Sequence, residues 1–172
     1  NQIKATSTNA TIGGGNSNIV APSSSNSTIG GGISNAVGVT TGATNATIGG
    51  GNTNKIADAG SYSSILGGQN NDVGNSTHST VGGGNDNNIG ATSNNATIGG
   101  GSVNTIGSTA TNSTIGGGVA NDIATATDAT VGGGNTNKIA TGGNYSSISG
   151  GQNNDVGAST HAFIGGGNNN NI

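Results

Sequence analysis

The chain contains no cysteine, methionine, tryptophan, arginine or glutamate, and only one proline. Each absence excludes something. Without cysteine there is no disulfide framework and no thiolate metal site, and the redox compartment leaves no mark on the sequence. Three lysines against six aspartates give a net charge of −3, which argues against the basic surface that nucleic-acid binding needs. No apolar run approaches the ~18 residues of a membrane span. Leu, Ile, Val and Phe together supply 28 of 172 residues, too few for an ordinary globular core. No charged and apolar leader stands at Asn1, so a secretion signal is expected to be absent or already removed. Scarce aliphatics alone would suggest disorder, but that signature also requires a high net charge, which is missing.

What the chain does contain is 37 Gly, 29 Asn, 23 Thr and 20 Ser, and their order is periodic. A branched residue precedes a glycine cluster ten times: Ile12, Ile29, Ile48, Ile65, Val81, Ile98, Ile115, Val131, Ile148 and Ile164. Successive anchors are 16 to 19 residues apart. Taking each anchor as position 0, position −2 is always Ala or Ser, and −1 is Thr or Ser except at Phe163. Positions +2 and +3 are always Gly, and +8 is always Ile or Val. Position +6 is always Asn: Asn18, Asn35, Asn54, Asn71, Asn87, Asn104, Asn121, Asn137, Asn154 and Asn170.

Positions −2 and 0 lie on one face of an extended segment, as do +6 and +8, because strand side chains alternate. The Gly-Gly between them permits a tight bend. Each unit therefore reads as two short strands and two turns, one coil of an all-β parallel β-solenoid of about ten coils. Length varies in loops of four to seven residues between +8 and the next strand. Pro22 and the longest loop, Gly38 to Thr44, fall there, where insertions are tolerated. Composition alone predicts about six Asn-Gly dipeptides, yet there are none. The absence of the strongest hairpin signal favours parallel coils over antiparallel hairpins.

A longer period overlies the first. Gly49–Ala57 recurs at Gly132–Ala140, Gly67–Gly74 recurs at Gly150–Gly157, and Tyr62 and His78 recur as Tyr145 and His161, all 83 residues on. Residues 1–86 and 87–169 are read as two five-coil blocks, with 170–172 opening a third in a longer array. Ten rungs at the inter-strand spacing make a rod roughly 48 Å long. The inward Asn column is expected to form a structural amide ladder along the axis, as in cross-β assemblies. Charges gather at +7, where Lys55 and Asp72, and then Asp122, Lys138 and Asp155, stand on consecutive coils. Exposed pairs of this kind contribute under ~1 kcal/mol each and more plausibly fix register than bind a ligand.

The units Ser27-Thr28-Ile29-Gly30-Gly31-Gly32 and Tyr62-Ser63-Ser64-Ile65-Leu66-Gly67-Gly68, each with Asn six after the anchor, resemble the YadA-like head repeats of trimeric autotransporter adhesins and related surface-fibre β-roll arrays. The resemblance runs through all ten coils. It implies a left-handed β-roll, assembly as a homotrimer, display on a cell or virion surface, and attachment to matrix or glycans. End-to-end stacking into a filament is the other assembly considered. The chain differs in using Gly-Gly-Gly and Asn where the adhesin pattern prefers alanine, and no neck, coiled-coil stalk or membrane anchor is expected within these 172 residues.

Other chemistry is thinly represented. The run Gly82–Ile89 puts Asn where calcium-binding nonapeptides need Asp, and neutral amides are poor substitutes for carboxylates. No Gly-Lys-Ser/Thr follows any glycine cluster, so no phosphate loop is expected. His78 and His161 lie five coils apart, too far to share a ligand within one chain. No cofactor and no catalytic constellation is expected. Seven Asn-x-Ser/Thr sequons, at Asn9, Asn26, Asn45, Asn75, Asn95, Asn112 and Asn144, are candidate glycosylation sites, although composition alone predicts about seven. The uncharged outward row of Thr at −1 also raises ice binding as an alternative function. The reading that best fits the whole is an extracellular structural and adhesive rod.

Overall fold

The structure, a computed structural model, describes all 172 residues. It is all-strand: twenty two-residue strands, β1 (Gln2–Ile3) to β20 (Phe163–Ile164), with no helix. The odd-numbered strands form one ten-stranded parallel sheet and the even-numbered strands a second. Equivalent strands of consecutive coils therefore pair in parallel, the chain crossing through the other sheet between them, as the repeat predicted. Each strand is a Thr-Ile-like pair, with its branched residue inward and its partner outward. β-Branched residues suit both positions because their stiff side chains pack well against neighbours on a pleated surface.

The strands are only part of the bonding. Of 93 backbone hydrogen bonds, 18 run from strand residue to strand residue and the other 75 flank the strands or lie in turns and loops, so the coils are joined around most of their perimeter. A third parallel line runs along position +4, from Asn16 through Ile33 and Asn52 to Asn168, where the sequence suggested only a turn. Two corners of every coil are left-handed: φ lies between 54° and 61° at −3 and between 53° and 60° at +5. This conformation turns the peptide over. Asn95, for example, donates its N–H back to Thr77 of the preceding coil, whereas Thr97 donates forward to Ser113. The sharpest demand for glycine is at +3, where φ is 83° to 102°. A side chain there would collide with the backbone of the next coil and with the coil's own ladder Asn.

The core is a thin axial stack. Twenty-four buried residues form one cluster running from Val20 to Ile164, mainly the aliphatics at 0 and +8 with alanines between them. Beside it run two serine columns. At −2, Ser79 donates to the carbonyl of Ser93 (3.0 Å) and accepts from the N–H of Ala96 (3.3 Å) in the following coil. At −5, Ser76 does the same with Gly90 (2.6 Å) and Ser93 (2.7 Å). Where −2 is Ala the pattern breaks. After Ala96, the N–H of Ser113 and the carbonyl of Ala110 find no partner, although both residues are buried.

Candidate functional site

The Asn column is the most regular polar feature. Nine of its members, Asn18 to Asn154, are fully buried, while Asn170 on the last coil is exposed. Asn104 shows the pattern. Its Nδ2 donates to Gly100 of its own coil (3.0 Å), to Gly118 of the next (2.9 Å) and to Oδ1 of Asn87 below (3.1 Å). Its Oδ1 accepts the N–H and the Nδ2 of Asn121 above, both at 3.1 Å. Both ends of the amide are thus consumed within the rod. The buried column is a scaffold, its amides turned to one another and to backbone carbonyls.

The outer corner at −3 carries both tyrosines and both histidines of the chain. Tyr62 stacks on His78 with ring centroids 4.9 Å apart, and Tyr145 on His161 at 5.0 Å. Both pairs join adjacent coils and are exposed. Sequence comparison at 83 residues paired like with like and overlooked these contacts; the 16-residue step from Tyr62 to His78, one coil, was the available signal. Each histidine thus has an aromatic partner, and no group of three His, Cys, Asp or Glu side chains converges anywhere.

Five sequon asparagines, Asn9, Asn26, Asn45, Asn95 and Asn112, occupy the same left-handed corner. Asn tolerates this conformation better than most residues, and Thr two positions on is a strand residue. Two backbone demands therefore generate the sequon without a glycan. Their side chains also link rung to rung: Asn95 Nδ2 donates to Asn112 Oδ1 (3.1 Å), and Asn112 Nδ2 to Asp128 (3.0 Å). Asn75 is exposed in a loop. Asn144 is half-buried and accepts the N–H of Thr127 (2.9 Å).

The +7 charges fall in register as expected, with Lys55 opposite Asp72, and Lys138 between Asp122 and Asp155. Only Lys55 and Asp72 close an ion pair, at 3.1 Å. Burial pushes the Asp122 carboxyl above its ordinary range; Lys138 opposes this and Asp155 adds to it. One oxygen each of Asp72 and Asp155 is buried with no hydrogen-bond partner.

The longest loop is held by Asp58. Its carboxylate accepts the N–H groups of Val39 (2.6 Å), Thr40 (3.1 Å) and Thr41 (3.1 Å), and the Thr40 hydroxyl (2.7 Å). Desolvation raises its pKa, but these bonds together outweigh it and leave the group below its ordinary value. The one surface concavity is the top of the last coil, between Phe163, Ile164, Asn170 and Ile172.

No family profile matches the chain, and no characterised protein matches it in sequence. The likeness to adhesin head repeats therefore rests on the repeat pattern alone.

Proposed function

We propose that the chain is a rigid segment of an extracellular fibre whose role is structural and adhesive. The observation that carries this reading is the unbroken axial bonding. Core, Asn ladder and serine columns all run along the rod, and its buried side chains are spent on joining one coil to the next. Such a chain acts as a spacer, holding outward ridges at a fixed repeat. Identical weak contacts repeated along a rod, and across subunits, add up to firm attachment by avidity. Self-assembly belongs to this proposal, either as the homotrimer that the adhesin resemblance implies or as an end-to-end filament. The role includes no catalysis, cofactor, nucleic acid or membrane insertion.

Light scattering behind a sizing column tests the proposal. A mass three times 16.0 kDa supports the trimer, and an open series of multiples supports end-to-end stacking. A 16.0 kDa monomer across the accessible concentration range would sink the self-assembling fibre.

A further inference from the structure

The outward rank at −1 has a use that a spacer does not require. From Thr11 to Ser147, nine successive rungs carry a hydroxyl there, Thr seven times and Ser at Ser64 and Ser147. The rungs pair one-to-one with no bulge, even across the longest coil, where Thr28 faces Thr47. The rank therefore repeats at the inter-strand spacing of about 4.8 Å.

Many hydroxyls elsewhere in the chain are already engaged. The −2 and −5 serines bond to the next coil, Thr77 to Asn94, and Thr53 to its neighbour Asn52. None of the nine at −1 makes a hydrogen bond within the protein. Beside the rank, position +1 is glycine in eight of ten coils, interrupted by Leu66 and Ser149, and at seven of the eight a Cβ would meet the next coil's carbonyl. The hydroxyls thus stand along a ledge of bare backbone. No charged residue occupies −1 or +1, whereas Lys55, Asp72, Asp122, Lys138 and Asp155 all stand on the other sheet. The variable loops are likewise confined to other parts of the coil.

We propose that this face binds the surface of ice. The chemistry has three parts. Free hydroxyls at a fixed repeat supply hydrogen bonds in register with lattice oxygens. Threonine methyls order the water between them. The lack of charge leaves no tightly held hydration shell to be displaced, while the ladders beneath keep the array rigid, so little ordering cost falls on binding.

The test is thermal hysteresis and ice-recrystallisation inhibition by the intact chain, with circular dichroism at the assay temperature to establish folding. The expected result is a freezing point held below the melting point and small grains on annealing. The double variant Thr97→Lys/Thr114→Lys should lose this activity. Thr105→Lys, on the opposite sheet in the column that carries Lys55, should retain it. A folded wild-type chain with neither activity would overturn the proposal, as would equal activity in the double variant and Thr105→Lys. Neither result depends on the oligomeric mass, so this proposal and the fibre reading can fail separately.

Discussion

Removing a ladder amide from the middle of the rod should be costly, and the cost can be worked from its partners. In Asn104→Ala, the buried N–H of Asn121 loses its side-chain acceptor and the carbonyl of Gly100 loses its donor. The Gly118 carbonyl keeps the Ser102 N–H, and the Asn121 amide keeps Gly117 and Gly134. One orphaned buried donor costs about 1–3 kcal/mol and one lost bond about 1 kcal/mol, so the total is about 2–4 kcal/mol. For a chain of this size that is a fall of roughly 5–15 °C in Tm. The mid-rod position matters, because a repeat array sheds damage near its ends as local fraying.

Asn104→Asp sharpens the test. It keeps the acceptor for Asn121 but sets an oxygen against the carbonyls of Gly100 and Gly118. The buried carboxylate should cost several kcal/mol at neutral pH. Its folded pKa is raised above an unfolded value of ~3.9, so this variant is most stable below that pH and loses stability as pH rises through the folded pKa. Thermal melts followed by circular dichroism at pH 3 and pH 7 read both effects. Exposed Asn88→Ala serves as the control and should stay within about 0.5 kcal/mol of wild type. An Asn104→Ala melt equal to the control, or an Asn104→Asp stability flat with pH, would refute the ladder argument.

Three further outcomes follow from the same geometry. Ala96→Ser should stabilise the chain by about 1 kcal/mol, because its hydroxyl meets the unpartnered Ala110 carbonyl and Ser113 N–H as Ser79 meets their equivalents; an unchanged or lower Tm contradicts this. Val103 sits at a left-handed +5 corner with φ of 60°, so Val103→Asn should gain about 1 kcal/mol, read by urea denaturation. Asp58 has a depressed folded pKa, so its contribution is present above the ordinary value of 3.8 and fades as pH falls through the folded value. Cleavage of the Gly38–Thr44 loop by an acid-active protease should therefore rise on acidification in the wild type, whereas Asp58→Asn should be cut readily at both pH values.

The periodic features of the fold were legible because each is written ten times. Ile12 to Ile164 marked one sheet, +8 marked the other, and Asn at +6 marked the ladder. The left-handed corners were not legible. Tyr62, Val103, Thr53 and Ala120 are ordinary or poor choices for positive φ, and inter-coil bonds impose it on them. The serine columns were hidden for a different reason. Ser and Ala alternate at −2 because they have similar volumes, so the sequence showed a small inward residue and concealed a hydrogen bond. Register was correct for Asp122, Lys138 and Asp155, but register does not ensure an ion pair. Only Lys55 reaches its partner.

The claim on which everything else depends is that coils add independently along one axis. It is tested by inserting a second copy of residues 87–169 after Asn169, a junction that keeps the repeat in phase because Asn87 occupies the same coil position as Asn170. Small-angle X-ray scattering of the two chains then gives axial length and cross-section. Five added coils should lengthen the rod by about 24 Å and leave the cross-section unchanged. A particle that instead thickens, or grows evenly in all directions, would contradict the account.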